Sequence, residues 1–135
     1  MKNIFYGLIL VSEMAIKKKA SRMKLVITAC ASHLNANVSE IFETSPYFIF
    51  VDTEHEQDFK AIANPYLGLW SGADILCAQF IINQGIDAVL SGCCSANALR
   101  IFQAAHLKVF YGFNGAAAKG IAEINKGGLV SSDIR

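Results

Sequence analysis

Four cysteines, Cys30, Cys77, Cys93 and Cys94, are the residues best suited to chemistry in this chain. A thiolate is a soft ligand for iron–sulfur and other metal–sulfur centres, and it is also a nucleophile. None of the four is spaced as Cys-x-x-Cys, which excludes zinc-ribbon and thioredoxin-type readings. Cys93 and Cys94 are adjacent and poorly placed for bridging. The thiols are therefore expected to be free, in a reducing, cytoplasmic compartment. Three histidines accompany them. His33 lies in a loop and reads either as a metal ligand or as a solvated loop residue. His55 reads as a turn residue and His106 as a helix stop. Asp52, Glu54, Glu56 and Asp58 read as a solvated strand edge.

The elements that must position these residues follow from hydrophobic pattern. Residues 24–29 (KLVITA) and 47–52 (YFIFVD) are short, apolar, β-branched or aromatic runs and predict buried strands. Residues 53–57 predict a turn and 58–63 (DFKAIA) a third strand, so strands two and three form a hairpin. Asn64-Pro65 ends the sheet. Ser71 with Asp74 suggests an N-cap for a helix over 72–84, apolar nearly all round and hence deeply buried, with Gly85 as its stop. A strand at 86–91, a helix at 95–105 starting from Ser95, a strand at 107–111 and a helix at 115–126 complete the chain. The order β-β-β-α-β-α-β-α predicts a mixed five-stranded α/β sheet whose second half is parallel and right-handed.

With 135 residues, 53% hydrophobic and 17% charged, the chain suits one domain. Its mean hydropathy of +0.37 and net charge of +1 exclude disorder. No apolar run approaches the ~20 residues needed to span a bilayer. Half of the 12 basic residues lie within the first 24 positions (Lys2, Lys17, Lys18, Lys19, Arg22 and Lys24), which leaves the body acidic. A nucleic-acid partner is thereby argued against. Ile4–Val11 after Lys2 resembles a short signal core, but a Lys17–Lys19 run follows instead of a cleavage site. Residues 1–22 are read as an appended extension, residues 23–130 as the domain and 131–135 as a tail.

The segments MKLVITAC, SPYFIFVDTE, ANP, SGADILCAQFIINQGIDAVLSG, SANALRIFQAAHLKVFYG and AAAKGIAEINKGGL resemble the dinitrogenase iron–molybdenum cofactor-binding family over about residues 23–130. The resemblance lies in the order and spacing of all these segments, most specifically between Gly85 and Gly112. It implies a ribonuclease-H-like three-layer domain, strand order 3-2-1-4-5 with strand 2 antiparallel. It also implies binding or carriage of an anionic iron–sulfur or molybdenum–iron–sulfur cluster in metallocluster assembly. Two departures stand out. Phe42-Glu43-Thr44 stands where relatives often carry a basic residue, and His106 replaces a common glycine. Histidine tolerates the left-handed conformation better than most other side chains.

In that strand order, the carboxyl ends of strands 1 and 4 meet at the switch point where open α/β sheets bind ligands. Cys30 follows strand 1, and Cys93 and Cys94 follow strand 4. Each thiol alone reads equally as core packing. Together with His33 they form a candidate metal-ligand set. Gly92 would let backbone approach the ligand, while Ser95 and Asn97 at a helix start would favour an anion. Cys77, mid-helix, reads as core.

The expected role is a non-enzymatic carrier of an iron–sulfur or iron–molybdenum-type cluster that serves a client or assembly protein, as monomer or homodimer, away from membranes. The alternative is a thiol redox sensor or regulatory interaction module without metal, using Cys93, Cys94 and Cys30. Nuclease chemistry is rejected because strand 1 carries no acid. Nucleotide binding lacks a glycine-rich phosphate loop after strand 1, and hydrolase chemistry lacks G-x-S-x-G.

Overall fold

Strand β1 (Lys24–Ala29) is buried from Leu25 onward because it is covered on both faces, which is why its sequence shows no polar alternation. Successive side chains point to opposite sides. Leu25, Ile27 and Ala29 join one core, and Val26 joins the other. The computed structural model describes residues 22–131. The remaining elements are β2 (Tyr47–Asp52), β3 (His55–Ala63), α1 (Ala73–Ile82), β4 (Ala88–Leu90), α2 (Ala96–Ala104), β5 (Lys108–Phe110) and α3 (Ala117–Asn125).

The sheet runs β3-β2-β1-β4-β5. β2 is antiparallel to β1 and β3, while β4 and β5 run parallel to β1. Helices α1 and α2 cover one face, with Phe42, Phe48, Ile81, Phe102 and Val109 at its core. Helix α3 covers the other through Ala117, Ile121 and Ile124. The fold is thus the three-layer arrangement expected. Phe42 stacks on Phe48 at 5.9 Å and meets Phe102 edge-on at 5.4 Å, so the loop before β2 is anchored in the same core as α2.

Several expectations are corrected. β3 begins at His55, so the turn shrinks to Thr53-Glu54, and His55 pairs with Asp52 inside the hairpin. The physical reason is Asp52, whose Oδ1 accepts the Glu54 N–H at 2.9 Å and closes a tight turn. Helix α1 starts from Gly72 at φ 77° with no side-chain cap, so Ser71 does not cap it. Nor is α1 deeply buried. Only Cys77, Ala78 and Ile81 are enclosed, while Ile75 and Leu76 face outward because no described element lies over them.

His106 adopts φ 61°, which ends α2 as a glycine would. Arg22 belongs to the fold, since its guanidinium pairs with Asp52 at 2.7 Å. The rest of the expected extension and all of the tail but Ser131 lie outside the described residues. Among the described residues no helix is long and apolar enough to cross a membrane.

Candidate functional site at the carboxyl ends of β1 and β4

β1 and β4 are parallel neighbours, and Thr28 at the end of one donates to the buried Ser91 hydroxyl after the other at 2.9 Å. Beyond this clasp the chain's own segment 37–42 passes between the two. Cys30 N donates to Asn37 O and Ser39 N to Thr28 O, both at 2.9 Å. On the other flank Gly92 N donates to Ser39 O at 3.0 Å and Phe42 N to Cys93 O at 2.9 Å. The same loop is tied to the start of α3, where Ala117 N and Ala118 N donate to Ala36 O and Leu34 O at 2.8 and 2.9 Å. These bonds satisfy helix N–H groups that would otherwise be free for a ligand. The switch-point crevice is therefore filled by protein, and the candidate site is the surface over segment 37–42.

Cys30 and Cys93 are exposed on opposite flanks of that segment. Cys30 lines an open cavity of about 360 Å³ together with Asn37, Glu40, Ile41, Thr44 and Asn114. Cys94 differs, because it is half-buried and packs against the core between the sheet and the helices. Burial pushes its thiol up to about 12, against a hydrogen bond with Ser91, and the neighbouring Cys93 and Glu43 push further. Cys77 is enclosed, and burial pushes it up to about 11. Its role is core packing, and its thiol leans on the Asn64 side chain at 3.5 Å. His33 is exposed in the loop, where its carbonyl accepts Ala36 N at 3.1 Å.

The structure does not gather Cys30, Cys93, Cys94 and His33, the candidate ligand set, at one point. Among the described residues no three His, Cys, Asp or Glu side chains stand close enough to hold one metal ion. Segment 37–42 separates Cys30 from Cys93, and Cys94 is half-buried against the core. Gly92 is also reassigned. A Cβ there would lie 2.6 Å from Glu40 O and 2.7 Å from both Glu40 Cα and Ser39 O. The glycine admits the chain's own backbone, not a ligand's.

The start of α2 likewise serves the protein itself. Ser95 caps the helix by accepting Ala98 N at 3.1 Å, and its hydroxyl donates to Asp74 Oδ2 at 2.6 Å. Asn97 Oδ1 accepts from Arg100 at 3.2 Å. The anion at this helix start is thus the Asp74 carboxylate. The Ser95 hydroxyl is the main cause of its lowered pKa; burial opposes it, and Ile75 N–H and Asn97 assist. Because the folded pKa lies below the unfolded one, this contribution is present above about pH 4 and is lost as pH falls through the folded value. Ser95→Ala is expected to cost about 1 kcal/mol of stability and to flatten that acid-side decline. Denaturant unfolding at neutral pH and in acid measures both.

Sequence reasoning missed two residues. Asn64 is buried and bonds Glu43 O, Ser45 O and Tyr66 N, pinning the loop before β2 to the end of β3. Glu43 has a buried Oε1 with no hydrogen-bond partner among the described residues. The departure at Phe42-Glu43-Thr44 was the only signal for it.

Residues 23–127 match the family described as dinitrogenase iron-molybdenum cofactor. No curated protein matches the sequence. Among solved structures, the apo form of the orange protein from Desulfovibrio gigas is similar at a TM-score of 0.76 and 22% identity, over 81% of this chain and 92% of that one. A NifB-type protein from Thermotoga is similar at 0.68 and 22%, over 84% and 97%. A dinitrogenase-type protein from Methanocaldococcus jannaschii is similar at 0.62 and 17%, over 84% and 98%. These likenesses concern the fold. With the family match spanning nearly the whole described domain, the chain belongs to the dinitrogenase iron-molybdenum cofactor family.

Proposed function

We propose that the protein is a non-enzymatic carrier that takes a preassembled, anionic iron–sulfur or molybdenum–iron–sulfur cluster as cargo. The cargo would be held over segment 37–42 and passed to a client or assembly protein in a reducing cytoplasm. The supporting observation is the pair of exposed thiols, Cys30 and Cys93, on the two flanks of a hydrogen-bonded segment. Soft sulfur donors suit iron and molybdenum centres. A resident cluster is usually fixed by four thiolates, so this donor set does not suit assembly of a permanent centre. It does suit a cluster that arrives with its own sulfides and must leave again. Asn37 and Asn114 line the cavity beside Cys30, and a side-chain amide is able to donate to sulfide. Glu40 lines the same cavity and disfavours a cargo of high negative charge there. A redox sensor built on Cys94 fits less well, since burial keeps that thiol protonated.

Anaerobic incubation with a cluster preformed in solution from iron(II), sulfide and tetrathiomolybdate, followed by desalting, tests this reading. Retained metal and sulfur-to-metal charge-transfer absorption are expected in the wild type and in Cys94→Ser. Both signals should be lost in the Cys30→Ser, Cys93→Ser double variant. Equal retention by the double variant, or no retention by any form, contradicts it.

A further inference from the structure

A second cavity, of about 310 Å³, opens between Glu43–Thr44 and the loop leading into α1. Its lining is mixed, with Tyr66, Leu69 and Trp70 beside Thr44 and Ser71. Trp70 is fully exposed, and Leu67, Leu69, Ile75 and Leu76 expose side chains beside it. Five exposed apolar side chains within residues 67–76 suit an interaction site, because isolated soluble proteins keep such exposure small. Two carboxylates, Glu43 and Asp74, line the same cavity, and no lysine or arginine does. Glu43 Oε1 is buried without a partner among the described residues, a costly state for a charged group. Asp74 is held ionised by the Ser95 hydroxyl. The charge complementarity therefore asks for a cation, and the aromatic wall asks for a flat one.

We propose that this cavity docks a partner protein by receiving an arginine side chain flanked by apolar residues. The guanidinium would lie against the Trp70 face with its charge beside the Glu43 and Asp74 carboxylates. The flanking residues would cover Leu67, Leu69, Ile75 and Leu76. Thr44 lines both this cavity and the one holding Cys30, so the docked partner sits next to the proposed cargo surface. The inference stands on the cavity alone and is tested on metal-free protein, independently of any cargo.

Trp70 is the only tryptophan, so its emission reports this site alone. The metal-free protein is titrated with the blocked tripeptide Leu-Arg-Leu and with its neutral isostere Leu-citrulline-Leu. A saturable blue shift is expected, with the citrulline peptide weaker by about tenfold, as loss of one charge-assisted contact implies. Glu43→Gln should abolish that discrimination while circular dichroism confirms its fold. Equal binding of the two peptides by the wild type, or no saturable response, overturns the proposal. So does a shift in Trp70 emission on deleting residues 1–21, which would make the chain's own segment the occupant.

Discussion

Gly92→Ala is expected to destabilise the protein by about 3 kcal/mol, at the upper end of ordinary overpacking. The added Cβ would meet Glu40 O, Glu40 Cα and Ser39 O at 2.6 to 2.7 Å, and all three are backbone atoms. A flexible side-chain tip could swing aside, but this backbone cannot, because its neighbours are bonded on both flanks. Ser39 N is held by Thr28 O and Ser39 O by Gly92 N. Relief requires segment 39–40 to withdraw from β4, which breaks the Gly92 N to Ser39 O bond and loosens Phe42 from Cys93 O. Denaturant unfolding should show the midpoint falling at unchanged slope, and thermal unfolding should shift by more than about 10 °C. A change below about 0.5 kcal/mol, the size of an ordinary surface substitution, would mean that the contact is not rigid.

The second large effect is a split in thiol reactivity. Thiolate, not thiol, reacts with alkylating reagents. Burial pushes Cys94 up to about 12 and Cys77 to about 11. At about pH 8 such thiols are thiolate at ~0.01% and ~0.1%, against roughly a quarter for an unperturbed cysteine of pKa about 8.5. Restricted access slows them further. Site-resolved mass spectrometry after brief iodoacetamide treatment should find Cys30 and Cys93 labelled and Cys77 and Cys94 spared. All four should label in denaturant. Rapid native labelling of Cys94 would place its side chain on the surface instead.

Much of this architecture is legible in the sequence where one physical rule dominates. β1 and β2 are continuous apolar runs, and burial on both faces leaves no alternative reading for them. Extension of β3 back to His55 was hidden because HEQD is polar and turn-like; an edge strand facing solvent needs no apolar pattern. α1 misled in the opposite direction. A helix apolar all round is normally enclosed, yet Ile75 and Leu76 remain outside because nothing in the described fold covers them.

The placement of Cys30 after β1 and Cys93 after β4 follows from topology alone. What fills the crevice between them does not. Residues 37–42 have no periodicity, and their course is set by long-range pairing with Thr28, Gly92 and Cys93 and by burial of Phe42. The role of Ser95 as a cap could be read locally. Its bond to Asp74 spans 21 residues and is a tertiary fact. Hence the loop reading assigned Gly92 and Ser95 to a ligand, whereas the folded chain uses both for itself.

Sulfur donation by Cys30 and Cys93 to an incoming cluster is tested most directly by protection. The protein loaded with a cluster preformed from iron, sulfide and tetrathiomolybdate is alkylated anaerobically beside its metal-free form, and each cysteine is quantified by mass spectrometry. Cargo should shield Cys30 and Cys93 in proportion to bound metal and expose both again when a chelator strips it. Metal that stays bound while these two thiols alkylate as fast as in the metal-free protein would contradict the account.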